Sequence, residues 1–288
     1  MAVPAIVGVD LGGTSVRAAR VLDGKVLARA ARPVPAAAAA DVVLDAVLAT
    51  AAEVIDDSVG GIGCGVPSVV DVARGIVYAV ENIPSWREVP LKDAFERRFD
   101  RSAFINNDAN AFAVGELHFG AGRSFRHLVG VTLGTGLGAG VVIDRRLYSG
   151  PNCGAGEIGS IPYRDGTIEQ YCAGPFFRRE AGVGGDVLCG RAERGDAGAL
   201  RLFHAYGREL GHAIMTVLYA YDPELIVLGG SIARAFAYFE AGMRERLADF
   251  AYQHALAGVK IVRSELADAA LLGAAALYLD ARRREEER

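Results

Sequence analysis

The chain writes nearly the same phrase twice. "IVGVDLGGTSVRAA" begins at Ile6 and "LVGVTLGTGLGAGV" at Leu128, an offset of 122 positions. In each copy an apolar, strand-like run enters a glycine-rich turn and leaves through a second strand-like run. The offset aligns Asp10 with Thr132, Gly12 with Gly134, Gly13 with Thr135 and Thr14 with Gly136. A turn of this kind leaves backbone N–H groups free and brings no side chain close, so phosphate oxygens can approach the amides directly. One such turn is most simply a tight β-hairpin. Two at equivalent positions point to a duplicated lobe whose turns grip the phosphate tail of a nucleotide. "GTGLGAG" also fits GxGxxG loosely, but strand rather than helix follows it, which argues against a dinucleotide-binding fold.

The 288 residues suffice for two domains with substantial cores. "AIVGVDLG" reads as a buried strand. "TSVRAARVLDGKVLARAARPV" reads as two more, joined at Asp23-Gly24, a strong hairpin signal. "AAAADVVLDAVLATAAEVIDD" has helical spacing and is expected to end at Gly60-Gly61. "GIGCGVPSVVD" is the next strand, "PLKDAFERRFD" a short helix, "SAFINND" a strand and "ANAFAVGELHFG" a helix. From Leu128 the order restarts: strand, glycine turn, strand, and a tight "DRR" turn. A long Gly-, Tyr- and Cys-rich region (149–190) follows. Helices are expected at "AGALRLFHAYGRELGHAIMTVLYAY" and "RAFAYFEAGMRERLADFAYQHA", with the strand "ELIVLGGSI" between them. A last helix, "AALLGAAALYLDARRREEER", packs back on the first lobe. The expected fold is α/β and duplicated, with an N-terminal lobe over 1–116 completed by about 270–288 and a C-terminal lobe over 117–269.

Hydrophobic residues make up 51% of the chain and the net charge is -4, with Lys and Arg scattered. Neither a nucleic-acid stripe nor a membrane span is expected, and the charged tail "ARRREEER" reads as a solvated helix end. "MAVPA" leads directly into the first strand without a signal-peptide core, so the expected location is the cytoplasm. Cys64, Cys153, Cys172 and Cys189 lie far apart without a CxxC pair and read as reduced, mostly packed thiols.

Two acids stand where chemistry could use them. Asp10, at the mouth of the first turn, either caps that turn or holds Mg²⁺ through water beside phosphates. Asp108, in "INNDANA", follows a strand and precedes a helix. It either caps that helix or accepts a proton from an attacking hydroxyl. Spacing leaves both choices open.

"GVDLGGTSVRAA", "GVPSVVD", "ENIPSW", "NNDANAFAVGE", "TLGTGLGAGVVIDRRLYSGPNCGAGEIG" and "DPELIVLGGSI" resemble, in order, the motifs of the ROK sugar kinases. These are two-lobed phosphotransferases of the actin-like (ribonuclease H-like) superfamily, with a central nucleotide and sugar cleft. The resemblance implies an ATP- and Mg²⁺-dependent hexose kinase, glucokinase-like, acting on the sugar's 6-hydroxyl. It implies Asp108 as the general base. Asn82, Asn107, Glu157 and Glu169 would bind sugar hydroxyls, the last from "IEQYCAG". Gly12, Gly13, Thr14, Thr135 and Gly136 would line the ATP phosphates, with Gly229 and Gly230 beside the adenosine. A homodimer is implied as well. Fructose and amino- or N-acylamino-hexoses remain alternative substrates.

One departure is large. Where most of the family carries a His and a cysteine cluster holding zinc, this sequence has Ser160 and "IPYRDGT", with only Cys172 downstream. A structural zinc site needs about four N or S ligands, so no zinc is expected. The missing His is also a sugar contact in the family, which loosens the expected hexose preference. The rival of a different class is a non-catalytic sugar-sensing regulator. Its DNA-binding relatives carry a helix-turn-helix ahead of the first strand, and none is expected before Gly12.

Overall fold

The computed structural model describes residues 4–286; Met1–Val3 and the end of the charged tail, Glu287 and Arg288, lie outside them. The chain divides into two compact units: residues 1–123, 146–155 and 266–288, and residues 124–145 and 156–265.

The first unit is built on β1 (Ala5–Leu11), β2 (Ser15–Leu22), β3 (Lys25–Pro33), β4 (Val59–Val66) and β5 (Ala103–Asn107) in the order β3-β2-β1-β4-β5. All seven residues of β1 are buried, which fits its unbroken apolar run in the middle of the sheet. β1 and β2 are antiparallel, as are β2 and β3, whereas β1, β4 and β5 run parallel. Asp23 and Gly24 turn the β2–β3 hairpin with φ of 49° and 74°, the left-handed pair that a two-residue loop of this kind requires. The helices are α1 (Ala40–Ala52), α2 (Leu91–Phe99) and α3 (Asp108–Phe119). The contrary expectation concerned Gly60-Gly61. α1 ends at Ala52, and the two glycines lie inside β4.

The reason is a long-range contact. In the second unit come the strands β6 (Leu128–Leu133), β7 (Leu137–Ile143), β8 (Leu225–Gly229) and β9 (Lys260–Arg263), and the helices α4 (Ile168–Cys172), α5 (Gly174–Ala181), α6 (Gly185–Glu193), α7 (Ala197–Tyr221), α8 (Phe236–Leu247) and α9 (Gln253–Gly258). The chain then returns to the first unit as α10 (Ala269–Glu286), whose backbone lies directly on β1 and β4. A Cβ on Gly8 would strike Leu271 O, one on Gly63 would strike Ala274 O, and one on Gly61 would strike the Tyr278 ring. Strand glycines are the entry ticket for a helix this close, not a helix stop. At the far end of α10, Arg282 and Glu285 are exposed and ion-paired one turn apart.

The four strands named for the second unit take the order β7-β6-β8-β9 within a five-stranded sheet, the order and sense of β2-β1-β4-β5 in the first. The duplicated topology is therefore present. The two glycine turns differ in length: Leu11 pairs with Val16 across four residues, but Leu133 pairs with Leu137 across three. Equivalence by sequence offset thus ends inside the turn. In this unit the structure defines one region and corrects one expectation. The region 149–190 holds α4, α5 and most of α6 besides a small hairpin of Pro162–Tyr163 and Gly166–Thr167. The helix expected over 234–255 is two helices, because the chain breaks between Leu247 and Gln253 to bury Phe250 against Tyr219. Among the described residues no disulfide joins the four cysteines; three are buried and Cys189 is half-buried. No helix among the described residues is long and apolar enough to cross a membrane.

Candidate functional site

In the first unit, three parallel strands bring their carboxyl ends together. Asp10 of β1 stands beside Gly65 of β4, and Gly65 beside Asn106 of β5. In open parallel sheets ligands sit outside these strand ends. Asp10 is faced across the hairpin register by Arg17, whose Nε and Nη2 donate to Asp10 Oδ2 at 3.0 and 2.5 Å. Strand alternation puts both side chains on one face, so this ion pair was available from the sequence. Asp10 Oδ1 lies outside these two hydrogen bonds. In the adjoining turn Gly12 N–H donates to Ser15 O at 2.9 Å. Thr14 is exposed. Asn82, also exposed, lies against the turn: its Nδ2 is 2.8 Å from where a Cβ on Gly13 would be.

Of the two readings of Asp108, the structure speaks to the capping one. Asn107, not Asp108, caps α3: its Oδ1 accepts from Ala109 N at 2.8 Å and Asn110 N at 3.3 Å. Asp108 is the first helical residue and is exposed, with Oδ1 accepting from Ala109 N at 2.8 Å. The cap uses Asn107 Oδ1, and its Nδ2 donates to Ser68 O at 3.5 Å. Beneath this turn Asn106 is a buried hub. Its Oδ1 accepts from Asn107 N (2.8 Å), Asn110 Nδ2 (2.9 Å) and Cys153 Sγ (3.3 Å), and its Nδ2 donates to Ser149 Oγ at 3.1 Å. A buried hydrogen-bonded network of this kind fixes the Asn107–Asp108 backbone.

In the second unit, Gly134 N–H donates to Gly136 O (3.0 Å) and Gly134 O accepts from Gly174 N (2.9 Å), tying the turn to the start of α5. Thr135 is exposed. Gly229 closes β8, and Gly230 follows with a φ of 86°, packed on the end of β6 so that a Cβ would strike Leu133 O. Beside them is a cavity of about 580 Å³ whose lining includes Gly134, Thr135, Arg178, Asp186, Ser231 and Arg234. Gly136 is on the other side of the turn, where a Cβ would lie 2.5 Å from Glu169 Oε2. That oxygen accepts from Leu137 N at 2.9 Å. Glu157 is exposed, yet the atoms packed round its carboxyl, and after them the charge of Glu169, push its pKa above the ordinary 4.5. The structure therefore groups Asp10, Gly12, Gly13, Asn82, Asn107 and Asp108 in one unit. It groups Thr135, Gly136, Glu157, Glu169, Gly229 and Gly230 in the other. Arg178, Asp186, Ser231 and Arg234 carry no spacing or motif of their own in the sequence; the first two lie in the Gly-, Tyr- and Cys-rich region and the last two at the end of an expected strand and the start of an expected helix.

The family model described as the ROK family matches residues 6–281. The chain belongs to the ROK family. A glucokinase of Thermotoga maritima is 31% identical, with 94% of this chain and 96% of that protein covered. Among solved structures, a ROK hexokinase from Thermus thermophilus superposes with a TM-score of 0.80 at 28% identity, covering 97% of this chain and 99% of that one. A ROK glucokinase from Streptomyces griseus, in complex with glucose and AMPPNP, gives 0.78 at 29% identity, covering 95% and 98%.

Within the ROK family the zinc loop is the natural test of this chain's departure, and the donors here do not suit zinc. Cys172 is fully buried, and burial drives its thiol pKa far up, away from the thiolate a metal requires. Asp165 accepts from Tyr171 OH, Glu169 from Leu137 N, and Glu209 from Tyr163 OH and Arg164 Nη2. Among the described residues no three of His, Cys, Asp and Glu gather as a metal cluster.

Proposed function

We propose that the chain is an ATP-dependent hexose kinase that transfers the γ-phosphoryl group to the 6-hydroxyl of glucose, as a cytoplasmic homodimer. The observation that carries the reading is Asp108: an exposed carboxylate at the end of a parallel strand, relieved of capping by Asn107. In this reading Asp108 takes the proton of the attacking hydroxyl. Asn82, Asn107 through Nδ2, Glu157 and Glu169 hold the other hydroxyls. The amides of Gly13 and Thr14, and of Thr135 and Gly136, hold phosphate oxygens, with Gly12, whose own N–H is tied to Ser15 O, shaping the first turn, while Gly229 and Gly230 flank the adenosine at the cavity of the second unit. Such catalysis is mainly positioning and charge neutralisation.

Mg²⁺ suits this donor set. It is commonly held through one or two carboxylates, water and substrate phosphates rather than by an all-protein cage. Asp10 Oδ1 is the oxygen available outside the Arg17 pair. When bound, the ion neutralises charge on the transferring phosphates.

The test is steady-state kinetics with ATP on glucose, mannose, glucosamine and fructose. Glucose is expected to give the highest kcat/KM. Ser160 is exposed and shorter than an imidazole, so tolerance of change at C1 or C2 is also expected. Turnover on fructose alone would overturn the glucose assignment.

The Glu157–Glu169 pair adds a pH signature. A raised pKa means that Glu157 takes up a proton at a pH where an ordinary glutamate is still charged. Only the carboxylate form accepts two hydroxyl hydrogen bonds, so kcat/KM for the sugar should fall on an acid limb lying above the ordinary 4.5. Glu169→Gln removes the neighbouring charge and should move the limb to lower pH in the residual activity. A limb unmoved by that substitution contradicts the pairing.

A further inference from the structure

The segment 161–173 stands where the family's zinc loop is expected, and it is held by something else. Pro162–Tyr163 and Gly166–Thr167 form a hairpin around Arg164 and Asp165, with Arg164 at a φ of 53°. Ile168 N–H donates to Ile161 O at 3.0 Å, closing the hairpin onto α4. Gln170 completes a capping box with Thr167, its Oε1 accepting from Thr167 N at 3.1 Å. These bonds are local to the segment. α4 is tied to the rest of the unit by the buried Ile168 and Cys172 and by Tyr206 OH, which donates to Cys172 O at 2.8 Å; the hairpin is tied to it by Glu209 of α7.

Glu209 uses both carboxylate oxygens. Oε2 accepts from Tyr163 OH at 3.0 Å and Oε1 from Arg164 Nη2 at 2.7 Å. The Tyr163 ring lies on His212, one helical turn along α7, with centroids 4.2 Å apart and planes at 23°. Arg164 spans the Tyr163 and Tyr171 rings at 5.2 and 5.0 Å, and Arg179 of α5 covers Tyr171 at 4.2 Å. Tyr171 OH in turn donates to Asp165, back in the hairpin loop. The Glu209 side chain is only 14% exposed, whereas its charged partner Arg164 is 49% exposed, so shielding is confined to the carboxylate end of these charge-assisted bonds. Hairpin, α4, α5 and α7 are joined by one continuous set of polar and aromatic contacts.

We infer that this Glu209–Tyr163–Arg164–Tyr171 lattice does for α4 what a metal would otherwise do: it positions Glu169. Glu169 follows the first residue of α4 and binds Leu137 N directly after the second glycine turn. The like charge of Glu157 opposes that placement. A five-residue helix has no stability of its own to resist the repulsion. The lattice supplies the restraint, and Glu209, Tyr163 and Arg164 are positioning residues for the Glu157–Glu169 pair. The structural part of this inference stands alone, while its effect on sugar binding rests on the kinase reading above.

The experiment compares full-length wild type with Glu209→Gln and with Tyr163→Phe, which keeps the stack on His212 and loses only the hydroxyl bond. Amide hydrogen exchange reads the restraint without any substrate. In Glu209→Gln, exchange at Leu137 should quicken by about tenfold or more while the sheet amides of Val129 and Val131 stay unchanged. In kinetics, sugar KM should rise by about threefold to tenfold, the ATP KM staying within about twofold, with Tyr163→Phe showing the smaller rise. Elemental analysis of the wild type should find no stoichiometric zinc, and chelation should leave Leu137 exchange and sugar KM as they were. Unchanged Leu137 exchange in Glu209→Gln overturns the lattice. So does about one zinc per chain whose removal frees Leu137. Faster Leu137 exchange with an unchanged sugar KM supports the lattice and removes Glu169 from the sugar site.

Discussion

Asp108→Asn should lower kcat by roughly 10²–10⁴-fold, the usual range for loss of a general base, while sugar KM and melting temperature change little. The structural ground is that Asp108, although the first residue of α3, is not its N-cap. The cap is Asn107, and Asn106 below it holds the strand end through four hydrogen bonds to Asn107, Asn110, Cys153 and Ser149. An amide in place of the exposed carboxylate keeps the shape and an oxygen for Ala109 N, but it cannot take a proton. Asn107→Ala is the internal control. It should cost about 1 kcal/mol of stability through the lost cap. Steady-state kinetics and thermal melts on both variants separate the two roles. Full turnover in Asp108→Asn would remove Asp108 from the chemistry.

Gly63→Val should be the most damaging single change to the fold. The new side chain would meet the main-chain oxygen Ala274 O, which belongs to α10 and cannot rotate away. Either α10 lifts from β1 and β4 or β4 is pushed out of the sheet. Overpacking of a tight core costs typically 1–3 kcal/mol and sometimes more, and an immovable backbone atom places this site at the upper end. For a chain of this size about 3 kcal/mol corresponds to a fall of roughly 6–12 °C in Tm. Gly60→Val meets a proline side chain, Pro4, instead of a helix backbone and should cost less. Equal Tm values for wild type and Gly63→Val by circular dichroism would show that α10 does not pack as described.

The pattern of agreement follows how far apart in sequence the causes lie. The Asp23-Gly24 hairpin, the buried β1 run and the start of α3 are dictated by neighbours within a few residues, and all were legible. Gly60-Gly61 was misread as a helix stop because the reason for it, Tyr278 and α10, is more than two hundred residues away. The short helices of 149–190 carry too few residues for a periodic signal and are ordered by tertiary contacts such as Tyr206 OH to Cys172 O at 2.8 Å. The same holds for the site. Asp10, Asn107 and Asp108 announce themselves by position at strand ends, whereas Glu209 lies mid-helix, 46 residues from Tyr163, and nothing local marks it.

The most direct test of the central claim is to incubate the purified protein with ATP, Mg²⁺ and glucose, measuring ADP release while following products by ³¹P NMR. The account predicts glucose 6-phosphate and ADP in equal amounts, with both suppressed together in Asp108→Asn. Glucose binding without turnover, or ATP hydrolysis to free phosphate with no sugar phosphate formed, would contradict it.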